Sequence, residues 1–202
     1  MKPECHTHRG GRVPDDTVLD AAKECVLAGG VRRTTLTGIA QAAGVSRMTV
    51  YRRFPDVGSV LATLMTREFT ALLQQVSDEI AADGTARSRL VDHAVASVRR
   101  LGTDPLLRTV LDLDAELLLP YVTERLGATQ LIAEEGLRGF ITEGHTDGSV
   151  RQGDPAAQSR ALLLLLQSFV LSRRPATAGD GAVPADTLLA ELTHLLEGAL
   201  TP

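Results

Sequence analysis

The sequence predicts an all-α fold of about nine helices, in which three short N-terminal helices precede a larger helical part. Apolar residues recur at spacings of three and four along almost the whole chain, which is the period of a helix that buries one face. No stretch alternates apolar and polar residues in the manner of a strand. Glycine and proline punctuate the periodic segments, and each such break is expected to separate two helices.

Composition indicates a globular protein. The chain has 202 residues, 44% of them hydrophobic, which is enough for one or two domains with packed cores. The longest apolar run, residues 161–166, is far shorter than the roughly 20 residues that a membrane-spanning helix needs, and the first residues are polar. Cys5 and Cys25 lie in different surroundings and form no disulfide framework. These features predict a cytoplasmic protein.

Charge is distributed unevenly and predicts a boundary near residue 60. Residues 1–60 carry 9 Lys/Arg and 6 Asp/Glu, whereas residues 61–202 carry 12 and 19. Only the first part is suited to phosphate. Within residues 31–59 the only acid is Asp56, and the basic residues are Arg32, Arg33, Arg47, Arg52 and Arg53. We therefore expect a DNA-binding domain in residues 1–60 and a separate helical domain in residues 61–202.

The first three helices are short. The first follows Pro14 and ends at Gly29-Gly30, and its apolar stripe consists of Val18, Ala22, Cys25 and Val26. The second begins at Thr37, and the third runs from Ser46 to about residue 54. Gly44 is expected to take the left-handed conformation between them, and the Ser46 hydroxyl to cap the third helix. This is the plan of a helix-turn-helix.

The remaining helices follow from capping signals and apolar stripes. Pro55-Asp56, a stop and a capping carboxylate, precedes a long helix that ends near residue 80. Further helices are predicted over residues 90–101, over residues 106–119 with a break at Pro120, and once or twice within residues 121–144. The last two are expected over residues 156–172 and 184–200, joined by a linker rich in Pro, Gly and Ala.

The third helix has two chemically different sides. At 100° per residue, Arg47, Met48, Tyr51 and Arg52 fall within about 140° of one another. Val50 and Phe54 lie on the opposite side, toward the second helix. Arginine bonds guanine edges, methionine contacts a thymine methyl, and tyrosine reaches phosphate. The first side is therefore predicted to lie in the major groove of double-stranded DNA.

The run TGIAQAAGVSRMTVYRRF, residues 37–54, resembles the TetR-family signature T-x-x-x-I-A-x-x-A-G-V-S-x-x-T-x-Y-x-x-F. A second turn, residues 147–155, resembles that family's D-G-S-x-R-x-x-D-P. The resemblance implies a helix-turn-helix DNA-binding domain followed by a helical ligand-binding and dimerisation domain. It implies phosphate contacts by Thr37, Ser46, Thr49 and Tyr51. It also implies base contacts by Arg47, Met48, Arg52 and Arg53.

One position departs from the family pattern. Val57 stands where the family usually has a lysine beside a phosphate, and Gly58 follows where an acid is common. We expect the DNA affinity to depend less strongly on salt concentration, because this corner supplies no cation to a phosphate, and we expect Arg53 to compensate for the missing charge. Arg9 and Arg12, in the N-terminal arm, have two interpretations: they contact the minor groove or phosphate, or the arm is a tail that contacts nothing specific.

The last two helices are expected to pair two chains. A single small helix-turn-helix makes too few base contacts for strong specificity, so a homodimer is expected to read two half-sites. The residues expected at a four-helix dimer interface are Leu162, Leu166, Phe169, Leu188, Leu192, Leu195 and Leu196. The alternative is that these apolar residues form the core of a single chain.

The family resemblance implies a chamber in the helical domain, whose bound ligand changes the distance between the two DNA-binding domains of a dimer. With four Phe, two Tyr and no Trp, its walls would be mainly aliphatic, which favours an apolar or amphipathic small molecule. The candidate lining residues are Phe69, His93, Tyr121, Phe140 and Phe169. Each has plain core packing as its alternative.

No cofactor or metal is expected. The spacing of Cys5-His6-Thr7-His8 matches no closed zinc pattern. The acids Asp112, Asp114 and Glu116 lack any accompanying catalytic motif, so an enzyme is disfavoured. A helical adaptor with a basic patch remains as an alternative. The favoured interpretation is a sequence-specific regulator, a repressor released from a near-palindromic operator by a small ligand.

Overall fold

The computed structural model describes residues 15–202, and every regular element in that range is helical. Ten α-helices follow one another, with a 3₁₀ turn between α6 and α7. They are α1 (Asp15–Gly29), α2 (Leu36–Ala42), α3 (Arg47–Tyr51), α4 (Val57–Glu79), α5 (Ala86–Leu101), α6 (Pro105–Leu113), the 3₁₀ turn (Ala115–Leu118), α7 (Leu119–Thr123), α8 (Ala128–Asp147), α9 (Pro155–Thr177) and α10 (Ala185–Leu200). The predicted all-α fold is confirmed, with one helix more than the expected nine in this range.

Two boundaries differ from those predicted. The chain leaves the helix at Asp114, whose φ of −145° and ψ of 36° lie outside the helical region, so residues 106–119 are not one helix. Pro120 does not break it, because this proline sits in the first turn of α7, where its missing N–H costs nothing. At the other end, α9 continues through Pro175 to Thr177, and the linker before α10 is correspondingly shorter.

The chain forms two compact units, one up to Leu64 and the other from Met65 onward. In the first unit, α2 packs against both α1 and α3. The fully buried side chains at its centre are Val18, Val26, Ile39, Val50, Val60 and Leu64. Cys25, expected in the buried stripe of α1, is only half-buried.

The core of the second unit lies among α5, α8, α9 and α10. Helix α5 packs against α8 and α10, and α8 packs along α9. Leu90, Ile141, Leu192 and Leu196 are completely buried there. These four helices carry the candidate dimer residues and, of the candidate chamber residues, His93, Phe140 and Phe169.

The turn of residues 147–155 forms hydrogen bonds with the ends of α5, α9 and α10. The Asp147 carboxylate accepts the Ala86 N–H at 2.9 Å, and the Ser149 hydroxyl accepts the Arg87 N–H at 3.2 Å, so α5 is capped from a distant segment. Arg151 donates from its backbone N–H to Leu200 O and from Nε to Ala199 O, both at 2.8 Å. The Asp154 carboxylate caps α9. The polar residues of this turn therefore satisfy helix termini that would otherwise lack partners.

Candidate DNA-reading surface

Helix α3 presents the two sides that the sequence predicts. Val50 is fully buried and Phe54 nearly so, and both anchor the helix to the first unit. On the opposite side Met48 is 76% exposed and Tyr51 50% exposed. Arg47 and Arg52 are exposed on the same side. An exposed array of two guanidinium groups, a thioether and a phenol suits the edges and phosphates of a DNA groove.

The turn before α3 has the expected geometry. Gly44 has a φ of +65°, the left-handed conformation that glycine adopts without strain. The Ser46 Oγ accepts the Thr49 N–H at 3.2 Å and lies 2.8 Å from the Thr49 Oγ1. Ser46 thus caps α3, and its hydroxyl stays exposed. The predicted glycine turn and serine cap are both confirmed, although α3 ends at Tyr51 and not near residue 54.

Helix α2 begins one residue earlier than predicted, and its cap is Thr35. The Thr35 Oγ1 accepts the Gly38 N–H at 3.0 Å, so this exposed threonine starts the helix. Thr35 also lies four residues before Ile39, which is the spacing of the first threonine in the family signature. Thr37 is half-buried within the first turn. Thr35, and not Thr37, therefore occupies the position of the first threonine in the family signature.

Arg53 is oriented differently from the other arginines. Its side chain is only 13% exposed, and its Nη1 lies 2.6 Å from the Asp15 Oδ1 at the start of α1. A guanidinium held in this way connects α3 to α1. We therefore leave Arg53 out of the base-contacting set, although the sequence suggests it as a reader.

The corner at the start of α4 carries no cation. The Asp56 Oδ1 accepts the Ser59 N–H at 2.7 Å, which confirms Asp56 as the predicted capping carboxylate. Val57 is the first residue of the helix and is half-buried, and the exposed Gly58 follows it. A phosphate placed here could accept hydrogen bonds from backbone N–H groups of the first helical turn, but residues 55–60 provide no lysine to pair with it.

The candidate dimer residues divide between the core and the surface of the second unit. Leu162, Leu192 and Leu196 are buried in their own chain, and Leu166 and Phe169 pack against the same core. Leu188 is half-buried. Of the seven, Leu195 is the one that is largely exposed. The apolar stripe of α10 therefore serves mainly the intrachain core, which is the alternative that the sequence left open.

A different face of α9 is exposed. Ala157, Ala161, Leu164 and Ser168 follow the spacing four, three, four and lie on one side of the helix, all exposed. On α10 the exposed side carries Glu191, Leu195 and Gly198. Sequence periodicity did not reveal the α9 face, because leucines surround this helix from residue 162 to residue 166. Only burial distinguishes Leu164 from its neighbours.

The candidate chamber residues lie in different surroundings. His93 and Phe140 form a ring pair with centroids 5.0 Å apart, and burial lowers the pKa of His93. Phe140 and Phe169 pack against the core, and Phe69 is buried on α4. Tyr121 lies beside Gly127 on the α7 side. Phe69, Phe140 and Phe169 thus contribute to packing, and their part in a chamber stays a prediction.

A cleft opens elsewhere in the second unit. It has a volume of about 340 Å³ and lies between the end of α4, the outer side of α5 and one residue of α10. Its walls consist of Val76, Glu79, Ile80, Asp92, Val95, Ala96, Arg99, Arg100 and Thr193. None of the five candidate chamber residues lines it.

Two expectations concern residues outside the described range. The Cys5-His6-Thr7-His8 cluster and the arm residues Arg9 and Arg12 lie before Asp15.

Among residues 15–202, no three His, Cys, Asp or Glu side chains form a group that would hold a metal ion. No helix in that range has the length and hydropathy required to cross a membrane.

Comparison with known proteins links the two units to one family. The sequence profile of the bacterial regulatory proteins of the tetR family matches residues 18–57, which hold α2 and α3. The chain is 41% identical over 191 residues to an HTH-type transcriptional regulator of Mycobacterium bovis. That alignment covers 95% of this chain and 94% of its relative.

Solved structures share the fold over almost the whole chain. The transcriptional regulator FadR of Bacillus subtilis, in complex with stearoyl-CoA, superposes with a TM-score of 0.62 at 19% identity, covering 93% of this chain and 100% of that one. The TetR-family repressor AlkX of Dietzia sp. superposes with a TM-score of 0.65 at 22% identity, covering 94% and 96%. With its sequence relatives, its matching profile and its exposed reading helix, the chain belongs to the TetR family of bacterial transcriptional regulators.

Proposed function

We propose that this regulator binds a near-palindromic operator as a homodimer and is a cytoplasmic repressor released by a small apolar or amphipathic ligand. Residues 1–60 would bind DNA, and residues 61–202 would bind the ligand and pair two chains. The observation that carries the proposal is the exposure of Arg47, Met48, Tyr51 and Arg52 on one side of a helix whose other side is buried. We add Thr35 to Ser46, Thr49 and Tyr51 as phosphate contacts.

The exposed faces of α9 and α10 support pairing of two chains. Leu164 is 54% exposed and is flanked by the small residues Ala161 and Ser168, so a second helix could approach closely. Leu195 adds an apolar side chain on α10. In an isologous contact through these faces, α9 and α10 of each chain would pack together as four helices around a two-fold axis.

The fold relatives support the ligand class. The B. subtilis relative was crystallised with stearoyl-CoA, and the Dietzia relative is implicated in biodegradation of n-alkanes. Both names concern long apolar chains, which agrees with the mainly aliphatic composition of the second unit.

Selection of random duplexes with the purified protein tests the proposal. We expect recovery of a near-palindrome whose half-sites are centred about one helical turn apart or slightly more. Binding to all duplexes with equal affinity would contradict it and would favour a protein with a nonspecific basic patch. Size-exclusion chromatography with light scattering provides the subunit count in the same preparation.

A further inference from the structure

We propose that the cleft between α4, α5 and α10 binds an anionic amphipath, with its carboxylate at Arg99 and Arg100 and its alkyl tail between α4 and α5. This inference rests on the proposed ligand control and specifies its site and chemistry. The cleft volume of about 340 Å³ lies near the lower end of the range of small-molecule sites, about 300–1,000 Å³. It therefore suits a medium-chain carboxylate better than a complete coenzyme A thioester.

The walls of the cleft separate charge from apolar surface. Val76 of α4 and Ile80, the residue after its end, line the cleft together with Val95 and Ala96 of α5 and provide the apolar part. Val95 and Ala96 are half-buried, so a bound alkyl chain would remove their remaining surface from water.

Two adjacent guanidinium groups provide the charged end. Arg99 Nη1 lies 2.6 Å from Asp186 Oδ1 at the start of α10, and Arg100 pairs with Glu79 at the end of α4. Both carboxylates are exposed. Exposed ion pairs contribute little free energy, so a ligand carboxylate would replace Asp186 or Glu79 at small cost.

The position of Asp92 sets the orientation of the ligand. Asp92 lines the same cleft seven residues before Arg99, which is about 10 Å along α5. Its charge disfavours an anion at that end of the cleft and favours the apolar tail between it and the arginines. Because Glu79 belongs to α4, a ligand carboxylate that replaced Glu79 at Arg100 would release one link between α4 and α5.

Calorimetry with decanoate as the probe tests the site in the absence of DNA. We expect decanoate to bind more tightly than octanoate, because the longer tail buries more surface in the cleft. Decanol should bind at least about tenfold more weakly, because its neutral hydroxyl forms no ion pair with arginine. Decyltrimethylammonium should also bind at least about tenfold more weakly, because its cationic head accepts no hydrogen bond and is repelled by the guanidinium groups. Equal or tighter binding of decyltrimethylammonium would overturn the proposal in favour of recognition by Glu79 and Asp92.

Substitutions test whether decanoate binds in this cleft. Arg99→Gln and Arg100→Gln should each weaken the binding of decanoate at least about tenfold. Arg108→Gln, which removes one charge from an exposed residue of the same unit outside the cleft, should leave it unchanged. Ala96→Phe should fill the apolar part and abolish binding while the helical circular dichroism remains. Unchanged affinity in the Arg99, Arg100 and Ala96 variants would overturn the proposal.

Operator binding is measured separately on the same proteins. Wild-type protein that selects an operator but does not bind decanoate would contradict the cleft assignment alone. Protein that binds decanoate but no operator would contradict the proposed function alone.

Discussion

At the scale of single residues, the candidate DNA surface depends on which side chains of α3 are free. Arg47 and Arg52 extend from the exposed side, whereas Arg53, one residue later, is held by Asp15. The helical wheel places Arg52 on the exposed side and leaves Arg53 outside that arc, but it does not show what Arg53 contacts. The ion pair between Arg53 and Asp15 of α1 distinguishes Arg53 from Arg52, and it depends on how the helices of the first unit pack.

Arg47→Ala should change the base preference of the protein at one operator position, at a cost of about 1–3 kcal/mol. Tyr51→Phe removes only a hydroxyl that would contact phosphate, so it should weaken all sites alike. Binding titrations on a panel of single-base operator variants measure both effects. The same proportional loss on every duplex for Arg47→Ala would contradict its role as a base reader.

Val57→Lys should strengthen DNA binding, because it places a cation at the N-terminus of α4, where residues 55–60 include no lysine or arginine. The slope of log K against log salt should steepen by about one unit for the additional phosphate contact. Fluorescence anisotropy at several salt concentrations measures the slope. Val57→Met is the matched control, since it lengthens the side chain without charge and should leave the slope as in the wild type.

At the scale of helices, α8 and α9 are joined by a buried carboxylate. Glu134 on α8 is bonded by Arg160 of α9 at 2.8 Å and by Arg138 of its own helix at 3.0 Å. The hydrogen bond from Arg160, together with the one from Arg138, lowers the pKa of Glu134 against the opposing effect of burial. The sequence offers no sign of this contact, because Glu134 and Arg160 are far apart in the chain.

Glu134→Gln should destabilise the protein at neutral pH and have less effect in acid. Because the pKa of Glu134 is lowered in the folded state, its contribution is complete above the unfolded value of about 4.3 and is lost as the pH falls through the folded value. Urea unfolding from about pH 7 to pH 3 measures the difference between variant and wild type. A difference that stayed constant over this range would show that the charge of Glu134 is not what stabilises the pair.

Glu135→Gln is the matched control for that experiment. Glu135 is the next residue on α8, is exposed, and lies 3.5 Å from Arg138. An exposed pair of this kind contributes little. Its substitution should therefore change the free energy of unfolding only slightly at every pH.

At the scale of the whole molecule, the proposed binding of two half-sites requires two copies of the chain. Leu164→Glu places a charge on the exposed face of α9 and should raise the dimer dissociation constant at least about tenfold. Operator affinity should fall with it, because one reading helix alone contacts a single half-site. Analytical ultracentrifugation and operator titration measure the two quantities.

Leu131→Glu is the matched control on α8. Leu131 is 52% exposed, close to the 54% of Leu164, but belongs to neither proposed pairing helix. The control should stay dimeric. Equal dissociation of both variants would contradict the assignment of the α9 face.

The sequence by itself determined the helical class, the caps at Ser46 and Asp56, the turn at Gly44 and the two sides of α3. These are local properties, since they depend on residues within a few positions of each other. Only the tertiary structure decided which leucines of α9 and α10 remain exposed, that Arg53 pairs with Asp15, and that the cleft adjoins Arg99. Such facts depend on contacts between distant segments, which a periodic pattern along one helix does not encode.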